Sequence, residues 1–187
     1  RIGLYTYRIQ NRGGKGIKGM QTREEDVVTK LFLSSNHSYL LYFTDMGRVY
    51  RTKTYNIPEA GRTAKGTPVV NIIEKSPEEK ISEIIPVKEF SDNEYLVMVT
   101  KNGVIKKTPA SEYESIRKSG KIAITLKEGD ELISIFKTTG NDNIFLATRN
   151  GMAICFNEND ARAVGRTASG VKAIDLADGD YVVGAEP

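Results

Sequence analysis

The stretch YLLYFTDMGRVYRTKTYNIP, from Tyr39 to Pro58, reads as an apolar run, a Thr, two residues, a Gly, and then a second run mixing apolar and basic side chains. The same plan recurs in YLVMVTKNGVIKKTPASEY (Tyr95 to Tyr113) and IFLATRNGMAICFNENDAR (Ile144 to Arg162). β-Branched and aromatic residues on both sides of a short turn containing Gly specify a β-hairpin. The turn glycines Gly47, Gly103 and Gly151 are spaced by 56 and 48 residues, which predicts a repeat protein.

A second marker follows each hairpin. Ala60 to Gly66 (AGRTAKG) and Gly165 to Gly170 (GRTASG) are nearly the same phrase, and Arg117 to Lys121 (RKSGK) is a looser copy. A further apolar run comes after each marker, at Pro68 to Ile73, Ile122 to Leu126 and Val171 to Leu176. Another precedes each hairpin, at Val27 to Leu33, Ile81 to Val87 and Leu132 to Phe136. About four strands per unit of roughly 50 residues is the size of a propeller-type blade. Helical signals are thin, with only Ser76 to Lys80 resembling a helix start, too short for more than a turn or two. The expected fold is therefore all-β and propeller-like, with about four blades in one domain spanning residues 1–187. Its approximate units are 22–75, 76–127 and 128–177, with partial units at 1–21 and 178–187. Either the partial units complete one another in a small ring, or the chain is a piece of a larger one.

The 187 residues, 39% hydrophobic and 27% charged, suit a globular protein with a proper core. One cysteine, Cys155, leaves no internal disulfide, which favours a reducing cytoplasm, and a buried place in its strand is expected for it. No apolar run approaches the ~18 residues of a membrane span, so no membrane partner is expected. Charge is unevenly distributed. Residues 1–75 hold 13 Lys and Arg against 6 Asp and Glu, a net of +7, whereas residues 76–187 hold 14 against 18, a net of −4. A polyanion contact is thus biased toward the first half.

The richest copy of the marker loop opens the chain. Gln10 to Gly19 (QNRGGKGIKG) carries four glycines and the cations Arg12, Lys15 and Lys18, a composition that lets a backbone approach phosphates closely. It is not a Walker A site, because Gly19 is followed by Met20 rather than by Lys and Ser or Thr. His37 is the only histidine and is expected in a surface turn, which removes His/Cys zinc chemistry, and no catalytic or metal-binding residue is expected. The acidic cluster Glu24, Glu25 and Asp26 reads as a solvated turn. Tyr5, Tyr7, Tyr50, Tyr55 and Tyr113 are explained more simply by strand packing than by ligand contact.

The run Gln10-Asn11-Arg12-Gly13-Gly14-Lys15-Gly16 resembles the gyrase A box, Q-[K/R]-R-G-G-[K/R]-G, of the C-terminal domain of the gyrase A polypeptide of bacterial type IIA topoisomerases. Six of seven positions match, and Asn11 stands where the family prefers a cation. The likeness extends over the whole chain through Glu24 to Asp26, Gly47 to Tyr50, Ile57 to Ala60 and Glu128 to Ile133. It implies a β-pinwheel, a propeller-like ring with six blades in the family, whose blades exchange strands and whose rim wraps double-stranded DNA. It further implies that the box works where first and last blades meet, that wrapping supports negative supercoiling, and that the cutting tyrosine and the ATPase, with ATP and Mg2+, lie outside this chain. Implied partners are the rest of gyrase A and the gyrase B polypeptide in an A2B2 heterotetramer of the cytoplasm.

On this reading the box residues Gln10, Arg12, Gly13, Gly14, Lys15 and Gly16 contact DNA, with a blade-edge set of Lys18, Arg48, Arg51, Lys53, Arg62, Lys65, Lys106, Lys107, Arg117, Lys118, Lys121 and Arg166. Counterion release makes such a belt grip DNA without reading its sequence. Cys155, Phe156 and Asn157 replace the cations in the last full unit, which is expected to contribute least. Two alternatives are the corresponding domain of topoisomerase IV, which lacks an intact box, and a protein-interaction propeller, whose WD and kelch signatures are absent.

Overall fold

In a computed structural model describing residues 1–24 and 26–187, the three hairpins form as β1 (Tyr39–Thr44) with β2 (Arg48–Lys53), β4 (Tyr95–Thr100) with β5 (Val104–Pro109), and β8 (Asn143–Thr148) with β9 (Ala153–Asn157). Glu25, from the acidic cluster, lies outside the described residues. The recurring Thr and Gly of the sequence pattern make the turn. The N–H groups of Gly47, Gly103 and Gly151 donate to the carbonyls of Thr44, Thr100 and Thr148, and each glycine takes a positive φ. The threonine hydroxyls then accept the next N–H, from Arg48 (3.4 Å), Val104 (3.1 Å) and Met152 (3.1 Å).

Each hairpin borrows its neighbours from later units. β3 (Ile81–Val87) pairs with β1, and β6 (Lys121–Ile122) with β2, giving the sheet order β3-β1-β2-β6. The second sheet repeats this as β10-β5-β4-β7, using β7 (Leu132–Thr138) and β10 (Val171–Lys172). The third is β11-β8-β9, with β11 (Val182–Glu186) and β9 as an edge. A register shift recurs where β1 and β4 end, at Phe43/Thr44 and Val99/Thr100, bending each blade at the same place.

The expected strand at Val27 to Leu33 does not form. Its counterparts β3 and β7 pair with the hairpin one unit earlier, and residues 1–26 contain no hairpin sequence to receive it. Ser76 to Lys80 is a turn rather than a helix, and among the described residues the only helical elements are short 3-10 turns.

Continuous apolar runs in the first hairpin strands are explained by burial on both faces. Leu41 and Phe43 face a cluster shared with Leu96 and Met98 of the next blade, while Leu40 and Tyr42 face Ile73 and the half-buried Phe32 and Val69. Val97 and Val99 in turn pack with Ile144 and Leu146. The blades therefore stack face to face, and strand exchange ties the stack together.

Candidate nucleic-acid interface

Strand exchange decides which cations meet. Because β6 follows hairpin β4–β5 in sequence but pairs with β2, the loop carrying Arg117, Lys118 and Lys121 is laid along the outer edge of the first blade. Arg48 donates to the Ser119 carbonyl at 3.0 Å, and Arg51 donates to the Glu114 carbonyl. Arg117 and Lys118 are exposed, while Arg48, Arg51, Lys53 and Lys121 are half-buried along the same edge. The Arg51 guanidinium and the Lys53 ammonium lie over the Tyr39 ring, 4.5 and 3.7 Å from its centroid, so an aromatic face holds both charged groups at this edge. Tyr39 belongs to this edge without being revealed by the charge pattern, although an aromatic at the first position of two hairpins, Tyr39 and Tyr95, is its visible signal.

The second blade departs from expectation. Lys106 and Lys107, expected on the DNA-facing edge, are only 1% and 5% exposed. Lys106 donates to the carbonyls of Ala123 and Arg166. Lys107 pairs with the fully buried Glu158 carboxylate at 3.3 Å and lies 4.3 Å from the Tyr95 ring centroid. The reason is positional. Lys106 stands where the first blade has the buried Tyr50, and its edge is covered by β10 and the loop before it. Burial, then the charge of Arg166, push the Lys106 ammonium down to about 7, against a smaller upward pull from Glu112. Arg166 is half-buried, and its guanidinium is engaged at the surface by donating to the Ile122 carbonyl.

In the third blade Cys155 is exposed, not buried as expected. Its cross-strand neighbour Phe145 is also half exposed, because none of the described residues covers that face, whereas the equivalent Leu41 and Val97 are fully covered. Of the tyrosines, Tyr50 and Tyr113 are buried, and Tyr5 and Tyr55 are exposed. Burial raises the Tyr113 phenol, whose hydroxyl donates to the Ala123 carbonyl at 3.1 Å.

The opening loop is built differently. The Gln10 carboxamide oxygen accepts the Gly16 N–H at 3.0 Å, and Gly14 N–H donates to the Asn11 carbonyl at 3.0 Å, so the Gln10 side chain closes the loop on itself. Gly16 sits at φ 74°, a left-handed conformation that suits glycine. Arg12, Lys15 and Lys18 are all exposed. The exit of the loop is tied to the marker of the following unit: Arg62 donates to the Lys18 carbonyl at 3.0 Å, and Gln21 N–H to the Arg62 carbonyl at 2.8 Å. Lys65 is exposed in that same marker. The structure thus brings together Lys18 with Arg62, Arg48 with the Arg117 to Lys121 loop, and the buried Lys106 with the main chain of Arg166.

Four successive segments, 1–35, 38–88, 94–139 and 142–187, match the family model described as DNA gyrase C-terminal domain, beta-propeller. The chain belongs to this family. Among the relatives of this domain, the DNA gyrase A protein of Clostridium acetobutylicum is 52% identical over 172 residues, covering 92% of this chain and 21% of that protein. The chain therefore spans about a fifth of the length of such a relative. Among solved structures, a C-terminal domain of DNA topoisomerase IV is similar with a TM-score of 0.76 and 34% identity, covering 81% of this chain and 47% of that one. A DNA gyrase A C-terminal domain is similar with a TM-score of 0.73 and 25% identity, covering 97% and 58%. The all-β pinwheel architecture and the gyrase A resemblance read from the sequence are both borne out.

Proposed function

We propose that this domain binds double-stranded DNA without sequence preference and wraps it around the blade rim, as the DNA-wrapping part of a gyrase A polypeptide. The observation that carries the reading is the convergence of cations from different units on one edge, Arg48 and Arg51 from the first hairpin with Arg117, Lys118 and Lys121 from the second unit. The opening loop adds the exposed Arg12, Lys15 and Lys18 and is tied at its exit to Arg62. Each cation that neutralises a phosphate releases about one condensed counterion. Bending a site of roughly 20–30 base pairs by about 40–90° costs of order 1–6 kcal/mol, which several such contacts offset.

On this reading the chain contributes no covalent chemistry. Strand cleavage, ATP with Mg2+, and the gyrase B partner of an A2B2 assembly in the cytoplasm belong to other parts of the enzyme. The opening box favours gyrase over topoisomerase IV, because Arg12 to Gly16 keeps two of the three cations and all three glycines of the motif. A salt titration of duplex affinity tests the reading. The logarithm of affinity is expected to fall steeply and linearly with the logarithm of salt concentration, at about 0.9 per phosphate contacted. An affinity indifferent to salt would overturn it.

A further inference from the structure

We infer that Lys106 is a positioning residue: it pins the Gly165 to Gly170 loop to the segment after β6, and so sets the relation between the rims of neighbouring blades. The inference rests on the DNA-wrapping reading for its consequence, but its geometry stands alone.

Lys106 is on β5, in the second hairpin, and is 1% exposed. Its ammonium donates to Ala123, which follows the strand paired to the first blade, and to Arg166, in the loop that leads to the strand paired to the second blade. One side chain therefore joins two consecutive units at the seam between the first and second sheets. Arg166 answers across the same seam by donating to the Ile122 carbonyl. Thr125 completes it, with its hydroxyl donating to the Thr167 carbonyl at 2.6 Å and its N–H to the Ala168 carbonyl at 3.3 Å. The Tyr113 hydroxyl donates to the same Ala123 carbonyl that Lys106 uses.

The charged and titratable groups around the ammonium are Arg166, Glu112 and Tyr113. No carboxylate hydrogen-bonds to Lys106 among the described residues, whereas the adjacent Lys107 has Glu158. A lysine placed against carbonyls and beside an arginine is poorly explained as an ion pair. It is well explained as a multivalent donor that satisfies main-chain acceptors where two loops meet. Without it, the carbonyls of Ala123 and Arg166 lose a donor and the loop loses its deepest anchor. The expected consequence is a rim whose cations are intact but whose blades no longer hold the loop in one place.

The test uses the full-length protein that carries this chain, as wild type, Lys106→Met and Lys106→Arg. Without DNA, hydrogen exchange across 165–170 and 123–125 is expected to speed at least about tenfold in Lys106→Met, with partial protection regained in Lys106→Arg. With DNA, the salt slope of duplex binding is expected to stay unchanged, because no phosphate contact is removed, while the linking-number change trapped by sealing nicked circles falls severalfold. Arg166→Lys, which keeps the charge but shortens the reach to Ile122, is expected to reproduce both changes in milder form if Lys106→Met fails to fold. A salt slope lowered by about one in Lys106→Met would make Lys106 a phosphate contact and overturn the proposal. Unchanged loop exchange in the folded variants would overturn it too. Loss of salt-dependent binding in the wild type would instead overturn the wrapping reading, leaving the exchange result to decide the role of Lys106.

Discussion

The loop at Gln10 to Gly16 and its later copy at Gly165 to Gly170 share a composition but not a task. At Gly170 an added Cβ would clash with the Ile105 carbonyl oxygen, because the loop crosses directly over the second strand of the preceding hairpin. Gly120, in the intermediate copy, lies similarly close over Tyr50, where an added Cβ would come within 2.6 Å of the ring. At Gly16, among the described residues, nothing is within 4 Å of the same position. In the copies, then, glycine permits close packing of one unit on another. In the opening loop glycine permits a backbone shape, closed by Gln10, that leaves Arg12 and Lys15 facing solvent. Recurrence of a Gly-rich phrase identifies the repeat, whereas the surroundings of each copy determine what the glycines do.

That contrast can be broken by substitution. Gly170→Ala combines a positive φ with a backbone clash and is expected to cost about 2–4 kcal/mol in urea unfolding. Gly16→Ala meets strain alone and is expected to cost about 1–2 kcal/mol, with weaker DNA binding as its main effect. Equal losses at the two sites would show that the loops are packed alike. Gln10→Ala is expected to cost about 0.5 kcal/mol and to accelerate amide exchange at Gly16, leaving the remainder of the domain unchanged.

The contrast also has a pH dependence. With its ammonium pushed down to about 7 from an ordinary 10.5, Lys106 binds fewer protons in the folded state than in the unfolded state between those values. Stability of the wild type relative to Lys106→Met is therefore expected to rise as pH increases from about 7 to about 10. Unfolding curves at pH values of about 7, 8.5 and 10 for the two proteins check the sign. A flat or falling difference would mean that Lys106 is not buried beside Arg166 in solution.

The hairpins are legible in the sequence because Thr-x-x-Gly between β-rich runs encodes its own turn bonds, and the all-β class follows from them. Strand exchange is not legible, since β6 and β10 are two residues long and their partners are distant in sequence, at Arg48↔Ile122 and Ile105↔Val171, away from the obvious local pairing. The failure at Val27 to Leu33 has the same origin, because a run apolar enough for a strand still needs a hairpin to receive it. In the site, charge pattern locates the first-blade edge but misplaces Lys106 and Lys107. The stretch Val104 to Thr108 reads identically whether its lysines face solvent or bend back to carbonyls and a glutamate brought from residues 123, 158 and 166.

The most direct measurement replaces Arg12, Gly13, Gly14, Lys15 and Gly16 together with alanine in the full-length protein and follows supercoiling, relaxation and duplex affinity in one preparation. Negative supercoiling is expected to be lost while relaxation survives, and the salt slope of DNA binding is expected to fall by about two, one for each cation removed. Supercoiling that persists with an unchanged slope would contradict the assignment of the opening loop to the DNA backbone.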